Sequence, residues 1–144
     1  MTTCVLDASA LLRYTDKEPG YKRVAELLKQ AAKGEVEVLL SAVNWGEIVV
    51  ALYRRLGMVR ARTIAGHLAA LPITIVPVDA SHAEAAAIFK CDFKVPYADA
   101  FAGALTLAYS ASPRRAMLLT ADFDFKSVPA GTIKIEFLPA KPAA

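Results

Sequence analysis

Cys4-Val5-Leu6-Asp7-Ala8-Ser9-Ala10-Leu11-Leu12 is the stretch on which the fold turns. Cys4, Val5 and Leu6 are apolar and partly β-branched, and they read as a short buried strand ending at Asp7. In open α/β sheets ligands bind outside the carboxyl ends of the strands, which is where the Asp7 side chain is expected. Asp7 also suits the N-cap of a helix starting near Ser9, and a cap and a site can share one residue.

Outward from this strand the chain alternates. Tyr21 to Lys33 places Val24, Leu27, Leu28 and Ala31 at i, i+3, i+4 and i+7, one face of an amphipathic helix that Gly34 stops. Val36 to Leu40 reads as a strand. Ser41 caps a helix from Ala42 to Leu56, stopped by Gly57, and Met58 to Leu71 forms a further helix with its arginines on the polar side. Ile73 to Val78 is a strand that Pro77 pushes toward a sheet edge or end. Ser81 to Glu84 has capping-box spacing and opens a helix reaching Phe89. Pro96 to Tyr109 is an alanine-rich helix, and Ala116 to Thr120 and Ile133 to Leu138 are the last strands. This mainly alternating order predicts an α/β fold, with a central, mainly parallel sheet of about five strands flanked by helices.

A length of 144 residues fits one domain, taken as residues 1–138, followed by a loose tail at 139–144. The 56% hydrophobic content excludes a disordered chain. The net charge of +3 is too small to indicate a nucleic-acid binder, but its distribution is uneven. Between Val38 and Val78 the sole acid is Glu47, against Arg54, Arg55, Arg60 and Arg62. Cys4 and Cys91 make neither a disulfide framework nor a CxxC motif, and Cys4 reads as a small buried hydrophobe. The N-terminus lacks a basic n-region, and the uncharged run Thr63 to Val78 is shorter than the ~20 residues of a spanning helix. The expectation is a soluble, cytoplasmic protein with no membrane contact.

Four acids resist explanation as solvated surface. Asp7 ends a strand, and Asp122 repeats that arrangement after Met117-Leu118-Leu119-Thr120-Ala121. Glu47 has apolar Val50 and Ala51 at i+3 and i+4, so the usual helical pair with a base is missing; Arg54 is the ordinary partner further along. Asp99 lies in a first helical turn, where the dipole favours it, among Tyr97, Ala98, Ala100, Phe101 and Ala102. Asp124 reads as a turn cap. Carboxylates converging at one sheet edge would repel and raise one another's pKa, and a divalent ion resolves that conflict. Mg²⁺ and Mn²⁺ prefer such oxygen ligands and suit phosphodiester cleavage. His67, His82, Cys4 and Cys91 show no zinc spacing.

With these residues in view, the sequence resembles the PIN-domain ribonucleases, and among them the VapC toxins of toxin–antitoxin pairs. The resemblance runs from Val5 to Leu138. It rests on Leu6-Asp7-Ala8-Ser9-Ala10-Leu11-Leu12, Asn44-Trp45-Gly46-Glu47, Tyr97-Ala98-Asp99-Ala100 and Leu119-Thr120-Ala121-Asp122-Phe123-Asp124-Phe125. It implies a PIN-like domain and a Mg²⁺- or Mn²⁺-dependent endoribonuclease. Asp7 and Asp99 would be the principal metal ligands, Glu47 would complete the cluster or position the attacking water, and Asp122 would be the fourth acid. Ser9 and Thr120 would hydrogen-bond the ligands. The resemblance also implies a homodimer, held inactive by a small antitoxin.

Arg54, Arg55, Arg60 and Arg62 are candidate contacts to RNA phosphates or to antitoxin carboxylates, and equally fit a solvated helix pair. Trp45 and Tyr53 suit a core or dimer face. Two other functions compete. Phosphotransfer on Asp7 lacks the second acid that a haloacid-type site wants, because Ser9 stands there. A noncatalytic PIN-like module binding RNA or protein would not need the intact acid set.

Overall fold

The computed structural model describes residues 2–111 and 115–143. The chain runs β1 (Thr2–Leu6), α1 (Ala8–Thr15), α2 (Tyr21–Ala32), β2 (Val36–Ser41), α3 (Ala42–Ala69), β3 (Thr74–Val76), α4 (Ala80–Phe93), α5 (Tyr97–Tyr109), β4 (Arg115–Thr120), a 3₁₀ turn (Phe123–Ser127) and β5 (Lys134–Phe137). The five strands form one sheet in the order β3-β2-β1-β4-β5, and every neighbouring pair is parallel. The order reverses at β1: the chain first builds outward through β2 to β3, then crosses back to place β4 on the other side. The crevice between β1 and β4 is therefore the topological switch point, where α/β sheets bind their ligands.

Strand alternation divides the core in two. Cys4 and Leu6 of β1, Val38 and Leu40 of β2, and Met117 and Leu119 of β4 face α1, α2 and α3. Val5, Leu39 and Leu118, one residue out of phase, face α4 and α5 with Phe89, Phe101 and Leu105. Burying each large side chain contributes about 1.5–3 kcal/mol, and the sheet is covered on both faces as an all-parallel sheet requires. Cys4 is fully buried, and burial pushes its thiol up to about 12. Among the described residues, no helix is long and apolar enough to cross a membrane.

Several boundaries depart from the sequence reading. α1 is a complete helix, capped by Asp7 through a 3.0 Å bond from the Ala10 amide. The capping box of α4 is built by Asp79 and His82 rather than by Ser81 and Glu84. Asp79 Oδ1 accepts from the His82 amide (3.1 Å) and His82 Nδ1 accepts from the Asp79 amide (3.3 Å). That helix consequently starts earlier and continues to Phe93. Gly57 does interrupt α3, at φ 78° and ψ 170°, a region that only glycine visits readily. The tail expected to be loose makes two contacts: Arg13 Nη1 donates to the Pro139 carbonyl (2.7 Å), and Lys141 pairs with Glu18 (2.6 Å). Ala144 lies outside the described residues.

α4 and α5 pack closely because Gly103 has no side chain. A Cβ there would sit 2.4 Å from the Phe89 ring, whose buried position leaves it little room to move. Glycine to alanine inside a helix ordinarily stabilises by up to ~1 kcal/mol, but here overpacking outweighs that gain. Gly103→Ala is expected to destabilise the protein by about 1–3 kcal/mol in urea unfolding; an unchanged or raised midpoint would contradict this packing.

Candidate metal centre

The register carries the first carboxylate to its place. Leu6 of β1 pairs with Leu119 of β4, so one step further Asp7 lies beside Thr120. Val5 and Leu118 face α5, and two residues on, Asp7 and Thr120 share that side. Both are buried, at 2% and 0% exposure. Asp7 Oδ1 accepts from Ser9 Oγ (2.7 Å) and the Ala10 amide (3.0 Å), and Thr120 Oγ1 donates a short bond to Oδ2.

The two hydroxyls have no freedom to turn away. The Ala121 amide donates to Ser9 Oγ (2.9 Å) and the Asp122 amide donates to Thr120 Oγ1 (2.9 Å). Each hydroxyl thus accepts from the backbone after β4 and gives its single proton to Asp7. Even so, burial is the stronger influence and pushes the Asp7 carboxyl up to about 6, against the opposing hydrogen bonds and with a further upward push from Asp122.

α5 brings the second carboxylate. Its N-cap is Pro96, whose ring fits the turn before the helix, and Asp99 follows in the first turn. Asp99 is 8% exposed, and its Oδ2 is buried without receiving a hydrogen bond. Burial raises its carboxyl to about 8, reinforced by the facing Asp122 and by the charges of Asp7 and Glu47. Asp99 is therefore the carboxylate at which the other three converge electrostatically.

Glu47 enters from α3, which Ser41 caps at the carboxyl end of β2. It makes no pair with Arg54. Asn44, one turn earlier and fully buried, uses both amide protons: Nδ2 donates to Glu47 Oε1 (2.9 Å) and to the Ala98 carbonyl of α5 (3.1 Å). Asn44 thereby sets Glu47 against the helix that carries Asp99. In the sequence, the i, i+3 spacing of Asn44 to Glu47 is the hint of this part.

Asp122 caps the 3₁₀ turn, its Oδ1 accepting from the Asp124 amide (2.9 Å), so here too cap and site coincide. Carboxylate oxygens of Asp99, Asp122 and Asp124 lie within 4.8 Å of one another. Asp124, read from sequence as a turn cap, is thus a fifth acid at the centre, while Asp7 and Glu47 flank the tightest group. Of the candidate arginines, Arg55 is taken by Asp16 through bonds of 2.7 and 2.8 Å. Arg54, Arg60 and Arg62 are exposed on α3 and make no ion pair among the described residues.

A hard divalent ion fits this arrangement. The donors are all carboxylate oxygens, with neither thiolate nor imidazole among them, as Mg²⁺ and Mn²⁺ prefer. A buried acceptor with no donor is costly alone, and Asp99 Oδ2 is such an atom. A cation would satisfy it and offset the mutual repulsion of the acids.

None of the curated proteins compared matches this chain. Solved structures do. DNA-bound VapBC2 from Rickettsia felis superposes with a TM-score of 0.72 at 13% identity, over 96% of this chain and 100% of that one. DNA-bound VapBC from Salmonella typhimurium gives 0.70 at 12% identity, over 95% and 98%. Mycobacterium tuberculosis VapC20, described as a sarcin-ricin loop cleaving toxin, gives 0.63 at 20% identity, over 96% and 99%. At these identities the likeness is one of fold. The PIN domain family model matches residues 4–131, spanning β1 with Asp7 through the turn with Asp124. The chain belongs to the PIN domain family.

Proposed function

We propose that this protein is a Mg²⁺- or Mn²⁺-dependent endoribonuclease acting as the toxin of a toxin–antitoxin pair. One observation carries the reading: a buried Asp99 oxygen without a donor, at the switch point of the sheet, among four further acids. A buried carboxylate oxygen without a donor is uncommon, and a cation is the partner that would also offset the charge of its acidic neighbours. The similarity in fold to toxin–antitoxin complexes, and to a toxin described as sarcin-ricin loop cleaving, supports the choice of a nucleic-acid substrate, taken here as RNA, and of a small antitoxin as partner. A homodimer working in the cytoplasm completes the proposal.

The chain's own residues divide the work. Asp7, locked by Ser9, Thr120 and the Ala10 amide, presents an oriented carboxylate, and Asp99 presents the oxygen that nothing else satisfies. Asp122 and Asp124 add carboxylate oxygens within 4.8 Å of that of Asp99. A divalent ion held by Asp7, Asp99, Asp122 and Asp124 would supply Lewis acidity to the phosphoryl group and lower the pKa of a water. Glu47, aimed by Asn44, accepts a proton from the attacking water and orients it in line with the scissile P–O bond. The new P–O bond forms from that water as the bond to the ribose oxygen breaks, and the departing oxygen takes a proton from solvent water.

The test is incubation of total RNA with the purified protein and Mg²⁺ or Mn²⁺, with and without a chelator. Cleavage that the chelator abolishes is the expected outcome; RNA binding without cleavage under either ion would identify a noncatalytic module instead. Thr120→Val removes the short bond to Asp7 while keeping the side-chain volume. It is expected to weaken divalent-ion binding about 10–100-fold by calorimetry, and an unchanged affinity would show that Asp7 needs no such support.

A further inference from the structure

Beside the acid cluster runs an open groove of about 910 Å³, and Asp124 belongs to both. Across it stand Lys90, Cys91 and Lys94 at the end of α4, with Phe123 and Ser127 on the 3₁₀ turn. The two walls are joined: Ser127 Oγ lies within hydrogen-bond distance of the carbonyl oxygens of Phe93 (2.6 Å) and Asp124 (3.0 Å). The groove is thus formed before any ligand arrives.

Its chemistry is unlike that of the neighbouring acids. Lys90 and Lys94 are exposed, and neither forms an ion pair among the described residues. Lys90 Nζ reaches only the Val95 carbonyl, at 3.4 Å. Phe123, a large apolar ring 37% exposed between two acids, has Lys126 Nζ 4.9 Å from its centroid. Free ammonium groups beside an exposed aromatic are what a single nucleic-acid strand engages, through its phosphates and one unstacked base. None of Arg54, Arg55, Arg60 and Arg62 lines this groove.

We propose that the groove beside Asp124 is the strand-binding subsite of this centre, with Lys90 and Lys94 on the phosphates next to the scissile one and Phe123 under an adjoining unpaired base. This rests on the nuclease reading and adds to it residues that position RNA without touching the reacting atoms. Their placement supports the assignment. Lys90 in the last turn of α4 and Lys94 at its left-handed C-cap both line the groove, so two ammonium groups can serve neighbouring phosphates while a cation held by the carboxylates would meet the scissile one.

Cys91 gives a direct probe, because it is exposed and the other cysteine, Cys4, is buried. The experiment follows alkylation of Cys91 by iodoacetamide in the noncleaving Asp99→Asn protein, with a single-stranded oligoribonucleotide of about 12 nucleotides. The strand is expected to slow alkylation severalfold, and the same strand annealed to its complement to slow it much less. Lys90→Gln with Lys94→Gln should abolish the protection and flatten the salt dependence of log Kd by about 1.4, or 0.7 per lost phosphate contact. Phe123→Ala should weaken binding about tenfold, and Phe123→Tyr should restore it. A tyrosine that fails to rescue would mark Phe123 as structural and overturn its part. RNA that binds without protecting Cys91, or with an unchanged salt slope in the double variant, overturns the subsite but leaves the nuclease reading standing. Protein that neither binds nor cuts RNA overturns both, and protection by an acidic peptide but not by RNA assigns the groove to a protein partner.

Discussion

Asp99→Asn is expected to abolish RNA cleavage and, at neutral pH, to make the metal-free protein more stable than the parent. The two effects share one cause. In the parent, Asp99 is buried beside Asp122 and within the fields of Asp7 and Glu47, so its ionised form is destabilised. An amide of the same shape has no ionisation to suppress on folding, a cost the parent carboxyl bears at neutral pH, and supplies two N–H donors to a site crowded with carboxylate acceptors. The same change removes the oxygen that a cation would satisfy. Loss of several kcal/mol of transition-state stabilisation corresponds to about a thousandfold or more in rate. Asp7→Asn should match it in activity but not in stability. Asp7 accepts three hydrogen bonds, one of them capping α1, and an amide placed there would set an N–H against a donor. Cleavage by total-RNA assay and thermal midpoints without metal separate these expectations. An active Asp99→Asn protein, or an inactive one whose metal-free stability falls sharply, would remove Asp99 from the centre.

The division between what was legible in the sequence and what was not follows the reach of each interaction. Helix α2, with its apolar i, i+3, i+4, i+7 face and glycine stop, depends on residues within one helix and was readable. So was the break at Gly57. Strand ends at Asp7 and Thr120 were equally plain, and a parallel sheet places such ends at one edge. Asn44 escaped because its role depends on the Ala98 carbonyl, 54 residues away. Arg55 looked available because Asp16, its partner, lies 39 residues earlier, at the end of another helix. The α4 cap misled for a different reason. Ser81 and Glu84 have the side chains a capping box favours, but Ser81 Oγ instead donates to Asp79 Oδ1 (2.7 Å), which also caps the helix two residues earlier. Asp124 has a sufficient local explanation as a turn residue, and only the position of Asp99, brought in by another helix, shows it to be part of the cluster.

The same electrostatics predict how stability should vary with pH, and in which direction a divalent ion should change it. Asp7 and Asp99 have folded-state values raised to about 6 and about 8, from an ordinary 3.8. A carboxyl raised on folding stabilises the native state fully below pH 3.8, where both states are protonated. That contribution is lost as pH rises through the folded value, because the unfolded chain ionises freely and the native one does so against burial. For Asp7 alone the loss amounts to about 3 kcal/mol between its unfolded and folded values. The metal-free protein is therefore expected to be less stable at pH 8 than at pH 5 in urea unfolding. Mg²⁺ should oppose the trend. Ionised carboxylates bind it and protonated ones do not, so its stabilisation should be small at pH 5 and larger at pH 8, reaching about 2.7 kcal/mol at a hundred times its Kd. Asp99→Asn should flatten the metal-free profile and remove most of the ion's effect together. A metal-free stability that rises from pH 5 to pH 8, or an ion effect equal at both, would mean that these carboxylates are not held against their charge. The physical argument for a cation between them would then fail with it.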